Sequence, residues 1–276
     1  PLSGEAWQRV FDLYRATPQY LEVNAGMTLE AFRGIFWWEY FHRLWGRVIG
    51  LVFFVPFLWF LITGRVRGKL IFKLLGLFIL GGAQGALGWY MVKSGLVDVP
   101  EVSQYRLTAH LSLAFLIYGL LIWTGLSLFY PQRMSIGDAR HRQTRHMALI
   151  ALVLIAGTIV SGAFVAGTDA GMIFNTFPLM EGHLIPPGYF QTLVAPFEDH
   201  ATIQFNHRIL ALSSFALVVA VWWHSRWLAL VPRARRAANI LIAAALLQVA
   251  LGISTLLLVV PIHLAACHQA GAMILF

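Results

Sequence analysis

The chain has 276 residues, 59% of them hydrophobic and only 12% charged, whereas soluble domains carry roughly 25% charged residues. That composition excludes a soluble globular domain and implies an all-α polytopic membrane protein with the lipid bilayer as its solvent. A net charge of +8 would suggest nucleic acid in a soluble chain; here the basic residues cluster in loops between apolar runs, which excludes that class of partner.

In chain order, the segment 1–34 sets Trp7, Val10, Phe11 and Tyr14 at helical spacing, which predicts an interfacial amphipathic helix. The first residue is Pro1 and no signal-peptide pattern follows, so a preceding segment is expected. Apolar runs near the ~20 residues that cross a bilayer occupy 35–62, 70–92, 105–130, 147–167, 201–224 and 237–260, and a seventh starts near 262 and is expected to be truncated at Phe276. Arg65, Arg67, Lys69 and Lys73 fill one loop, Arg133, Arg140, Arg142 and Arg145 a second, and Arg226, Arg233, Arg235 and Arg236 a third. By the positive-inside rule these loops face the cytoplasm or matrix. The segments 1–34, 93–104 and 168–200 then face outward, the last carrying Asp169, Glu181, Glu198 and Asp199 without a Lys or Arg. A single cysteine, Cys267, excludes an intramolecular disulfide and a Cys-based metal cluster.

The chain repeats itself. Gln84-Gly-Ala-Leu-Gly88 matches Gln248-Val-Ala-Leu-Gly252 at an offset of 164, and Glu39-Tyr-Phe-His42-Arg43 matches Gln204-Phe-Asn-His207-Arg208 at 165. Ala109-His110 matches Cys267-His268 at 158, a drift assigned to a shorter outer loop before the last helix. The expected organisation is two halves, 1–135 and 136–276, each a four-helix bundle, arranged as parallel pseudo-symmetric repeats about the membrane normal. The second half has a helix ahead of its outer loop and the first begins in its loop. A complete chain is therefore expected to have eight transmembrane helices, about seven of them here, with the first missing and the last cut short.

His42, His110, His207 and His268 each fall about six or seven residues from the outer start of their apolar runs, roughly 10 Å deep at 1.5 Å per residue. The separations of 68 and 61 residues within the pairs correspond to one intervening hairpin in each half. Two imidazoles at one level on facing helices can hold haem iron from both sides. A lone intramembrane histidine is more often hydrogen-bonded to a neighbouring helix; four at matched depth in matched repeats favour pairing. His141, His146, His183, His200, His224 and His263 fall in loops or at helix ends and are expected to be solvated or interfacial, with His200 the one to inspect. Arg43 and Arg208, directly after paired histidines, either meet haem propionates or snorkel to the headgroups, and so does Arg47.

Glu39 lies three residues before His42, on the same helix face, and its counterpart before His207 is Gln204. The substitution keeps the shape and removes the charge. Glu39 either acts as a general base or stabilises positive charge on an oxidised macrocycle, or it forms an ion pair with Arg43 or Arg106.

The stretches WWEYFHRLWGR at 37–47, VSQYRLTAHL at 102–111, GAFVAGTDAGMIFNTFPLM at 162–180, QFNHRILA at 204–211, QVALGIST at 248–255 and HLAACHQAG at 263–271 span almost the whole chain. Together they resemble the haem A synthase family, and within it the mitochondrial and alphaproteobacterial branch. The outer-loop cysteine pairs of some bacterial members are absent here.

The resemblance implies eight transmembrane helices and an oxidoreductase that converts haem O to haem A for cytochrome oxidase. A ring methyl becomes a formyl group through two hydroxylations and loss of water. It implies a haem b cofactor in the C-terminal half with His207 and His268 as its axial ligands and Arg208 beside them. Substrate haem O would enter the N-terminal half, facing His42 and His110 with Arg43 nearby, and Glu39 matches the family's essential carboxylate. The helix in 1–34 would cover the farnesyl-bearing substrate or seal the bundle.

The implied location is the bacterial plasma membrane or the mitochondrial inner membrane, with the paired histidines near the periplasmic or intermembrane-space side. Contact with the haem O synthase and with oxidase assembly factors is expected on family grounds. A homo-oligomer is left open, and no residue names the electron donor or the oxygen source. The alternatives are a non-catalytic di-haem b-type membrane cytochrome moving electrons to or from quinone, and a haem carrier. A cytochrome accounts for the four histidines but not for an acid on one side only.

Overall fold

A computed structural model describes residues 1, 3–95, 102–131 and 139–276. Arg133, the expected boundary between 135 and 136, and residues 96–101 of the outer segment 93–104 lie outside the described residues. The chain divides into two compact units, Pro1–Phe129 and Tyr130–Phe276. Regular structure among the described residues is helical, apart from an isolated bridge between Met180 and His183.

In the first unit, α1 (Gly4–Arg15) starts at Ser3, whose hydroxyl accepts from the Ala6 amide. Trp7 and Phe11, four residues apart, fall on one face and bury against Phe32, with Tyr14, Tyr20 and Phe36 around them. The rings close to 4.8 Å between the centroids of Tyr14 and Phe32, and to 5.0 Å between Trp7 and Phe36. A π-helical turn, Gln19–Val23, leads to α2 (Leu29–Ile62), capped by Thr28 accepting from the Ala31 amide. The helix thus begins at Leu29 rather than at the apolar edge near residue 35, because a cap and an aromatic clamp set its start. His42 consequently lies about two turns further from its helix start than the expected six or seven residues. α2 packs on α3 (Lys69–Gly95), and α3 packs on α4 (Gln104–Phe129).

The second unit comprises α5 (Ala139–Gly167), a short α6 (Ala195–Glu198), α7 (His200–Ser225), α8 (Pro232–Leu257) and α9 (Ile262–Leu275). α5 packs on α7, α7 on α8, and α8 on α9. The interior is built from Ala151 and Ile155 of α5, Val218 and Val221 of α7, and Ala245 of α8. Ala151 and Ala245 among them are the small residues that let membrane helices approach closely. At the inner end of α7, the Arg235 guanidinium donates to the carbonyls of Ser225, Arg226 and Leu228 at 3.2, 3.3 and 2.8 Å, satisfying groups that a helix end leaves open.

All seven predicted apolar runs are helices. Six of them, α2, α3, α4, α5, α7 and α8, are long and apolar enough to cross a bilayer, and α9 is a shorter apolar helix of 14 residues. Trp38, Phe72, Trp123 and Val153 project outward from these helices. So much exposed apolar surface suits hydrocarbon and not water, which makes this an all-α polytopic membrane protein.

Candidate functional site

In the second unit, α7 starts at Asp199, whose carboxylate accepts from the Thr202 amide at 2.7 Å, and carries His207 about two turns on. The ring lies against α5. Its Nδ1 is 2.9 Å from the Ser161 hydroxyl, and a Cβ placed on Gly162 would stand 3.0 Å from its Cε1. His268 of α9 packs on α8 in a similar manner. A Cβ on Gly252 would stand 2.8 Å from its Cε1, and the Gln248 carboxamide donates to its main-chain carbonyl at 2.9 Å. The two imidazoles are within electrostatic reach of each other.

The first unit carries the same arrangement on α3 and α4. A Cβ on Gly88 would stand 2.9 Å from Cε1 of His110, and the Gln84 carboxamide donates to the His110 carbonyl at 3.0 Å. That amide nitrogen is also 3.4 Å from His110 Nε2, a longer and weaker approach. His42 on α2 is exposed and within electrostatic reach of His110. One turn before His42, Glu39 accepts from Arg43 in an i, i+4 ion pair, both side chains about half exposed. Of the partners expected for Glu39, Arg43 is therefore engaged. Arg106 instead stacks its guanidinium over Tyr90 at 5.1 Å. Arg47 is exposed.

Gln204 and Arg208 repeat that i, i+4 pair in the second unit, but they turn toward the outer loop. Gln204, 2% exposed, donates to the Ala170 carbonyl at 2.8 Å and accepts from Arg208 at 2.9 Å. The remaining donor positions at the end of the Arg208 guanidinium reach the carbonyls of Thr176 and Phe174 at 2.8 and 2.6 Å. Asn175 donates to the carbonyls of Leu256 and Gly171, each at 2.9 Å, and the Phe190 amide donates to the Thr202 hydroxyl at 3.0 Å. The segment 168–200 is thereby fastened over the N-terminal end of α7 and the C-terminal end of α8. Sequence reasoning left this segment without a role; its signal was the run of loop-forming residues between Asp169 and Pro187, all without a basic residue of their own.

Among the other histidines, His224 is half-buried and its Nδ1 lies 2.7 Å from the Thr144 hydroxyl, so it joins α7 to α5 rather than facing solvent. His200 is the exposed first residue of α7, and His146, His183 and His263 are exposed. Among the described residues there is no group of three or more His, Cys, Asp or Glu able to hold a metal ion. Paired imidazoles remain, a donor set that suits the two axial positions of a haem iron.

The profile of a family described as cytochrome oxidase assembly protein, COX15-CtaA, matches residues 1–276. A haem A synthase of Nitrosospira multiformis is 51% identical over 281 residues, covering 100% of this chain and 78% of that protein. One from Parvibaculum lavamentivorans is 50% identical over 283 residues, covering 100% and 79%. The haem A synthase COX15 of Arabidopsis thaliana is 44% identical over 287 residues, covering 100% and 63%.

Proposed function

The chain belongs to the COX15-CtaA family of cytochrome oxidase assembly proteins, and from that premise we propose how its residues share the work of a haem A synthase. The enzyme is an oxidoreductase that takes a ring methyl of haem O to the formyl group of haem A, by successive hydroxylations and loss of water. The halves act as repeats of one bundle design, 136–276 keeping a haem b cofactor and 1–135 receiving the substrate.

The residues of the second unit fit haem b. Ser161 occupies Nδ1 of His207, which fixes the ring and leaves Nε2 for iron. His268 offers a second imidazole whose Nδ1 is buried without a protein partner among the described residues. Glycines at 162 and 252 leave room for both rings. Haem b held by His207 and His268 would supply one-electron transfer. Arg208 holds the outer loop, and its Nε, buried and unpartnered among the described residues, supports a role toward a propionate.

In the first unit, His42 and His110 would face the iron of haem O, with Arg43 orienting the Glu39 carboxylate through their ion pair. If an external two-electron oxidant removes the equivalent of hydride from the methyl group and water then adds to the carbon, Glu39 would stabilise the positive charge on that carbon and take the proton the water loses. The greater exposure of Glu39, His42 and Arg43 suits a substrate that must enter and leave. Acidic outer segments and basic inner loops support the placement of both histidine pairs toward the periplasmic or intermembrane-space side. Haem O synthase, oxidase assembly factors and a second copy of the chain are the partners proposed.

One observation carries this reading: two i, i+4 pairs at matching positions of the repeat differ by a single titratable proton, Glu39 with Arg43 against Gln204 with Arg208. Glu39→Gln in the full-length protein makes the first half like the second. Extracted haems should then show haem A falling by about 10²-fold or more, with haem O or its hydroxymethyl form accumulating and haem b retained. Undiminished haem A would reduce Glu39 to a structural partner of Arg43.

A further inference from the structure

Gln84-Gly-Ala-Leu-Gly88 and Gln248-Val-Ala-Leu-Gly252 repeat in both halves, and the division of labour above gives them no task. Within each string the Gln and the Gly stand one helical turn apart on one face. The Gln carboxamide donates to the main-chain carbonyl of a histidine on the next helix, 3.0 Å to His110 and 2.9 Å to His268. The Gly receives the edge of that same histidine's ring, where a Cβ would stand 2.9 and 2.8 Å from Cε1. Carbon atoms in contact settle near 3.5–4.0 Å, so a side chain at either glycine moves the ring.

At His268 shape has to do this, because its Nδ1 is buried without a partner among the described residues; Nδ1 of His110 is likewise unpartnered, and the ring has besides its glycine only the long 3.4 Å approach of the Gln84 amide nitrogen to Nε2. His207 has a comparable notch at Gly162, at 3.0 Å, and is also bound by Ser161. Gly271, one turn after His268, completes the second seat: a side chain there would run into the Gln248 carboxamide oxygen. Other glycines of the same helices, Gly85 on α3 and Gly157 on α5, have nothing within 4 Å of a Cβ, so the notches are particular to the histidines.

We propose that Gln84 with Gly88, and Gln248 with Gly252, are positioning residues, the carboxamide fixing the height of the histidine's turn and the glycine fixing the plane of its ring. Each imidazole is thereby offered to a haem iron in one orientation. The proposal rests on the reading that His110 and His268 face haem iron.

The test uses the purified full-length protein and reads haem b content, its low-spin electron paramagnetic resonance signal and its reduction potential. Alanine favours a helix over glycine, so the variants should fold. Gly252→Ala should lower haem b retention roughly tenfold or displace the low-spin signal and the potential. Gly162→Ala should do less, because Ser161 still orients His207, and Gly157→Ala should match the parent. Gln248→Met, of similar length without an N–H, should move the signal in the same sense as Gly252→Ala. If His268→Ala strips haem b while Gly252→Ala and Gln248→Met match the parent, the seating role is wrong and ligation stands. If His268→Ala keeps its haem b and its signal, ligation fails and the seat fails with it.

Discussion

Ser161 shows what one hydroxyl does beside an imidazole, here the ring proposed as a haem ligand. Its oxygen, 2.9 Å from His207 Nδ1, selects the tautomer with the proton on Nδ1 and makes Nε2 a stronger electron donor. A stronger donor favours ferric over ferrous haem. Ser161→Ala should therefore raise the reduction potential of haem b, and weaken its binding by roughly tenfold at most, since Gly162 still seats the ring. A spectroscopic redox titration checks this, and a potential that stayed put or fell would remove Ser161 from the ligand's surroundings. The histidine itself stood out in the sequence because four imidazoles recur at regular places in apolar runs, and its role toward iron is proposed. Ser161 did not stand out, because a serine in an apolar helix carries no spacing signal and its partner is 46 residues away. Gln204 was half legible: its lost charge could be read from the repeat, but its hold on Ala170 and Arg208 depends on a loop whose path no periodicity predicts.

The seven apolar runs were read in the right order because such runs leave little else for the chain to form in lipid, whereas the short α6 carries no such signal. Their ends were read less well, because hydropathy marks where a helix is apolar and not where it is capped. α2 illustrates the difference. Thr28 closes its first turn, and Phe32 buries under Trp7 and Phe11 of α1, so polar residues before the apolar run are helical too. Phe32→Ala removes the centre of that clamp, a loss of about 3 kcal/mol when a buried phenylalanine is truncated. α1 should then detach locally. Limited proteolysis of the protein in liposomes should cut faster between α1 and α2, near Gln19–Val23, while the haem b signal of the other unit stays unchanged. Equal cleavage of variant and parent would mean that lipid contact, not the clamp, holds α1.

For the whole chain, two kinds of signal acted at a distance: the repeat and the charges. The offset falls from 165 at His42 and His207 to 158 at His110 and His268. Most of the fall comes from the connection 258–261 between α8 and α9, which is shorter than 96–103 between α3 and α4. Charge sets the direction of insertion, since each Lys or Arg carried into the bilayer costs about 2.5–3.5 kcal/mol on the insertion scale, and Arg65 and Arg67 lie between α2 and α3 while Lys69 and Lys73, expected in that loop, form the first turns of α3. The loop 168–200, with its acidic residues and no basic one, can cross far more cheaply. Its tie to α7 through Arg208 and Gln204 holds it within about two turns of His207, so the charge pattern predicts that His207 lies toward the outer face. With Cys267→Ser as background, Glu181→Cys should react with a membrane-impermeant maleimide in intact cells, and Arg67→Cys only after permeabilisation. The reverse pattern would put the histidine pairs on the inner side, and with them the face from which haem O must enter and haem A must leave.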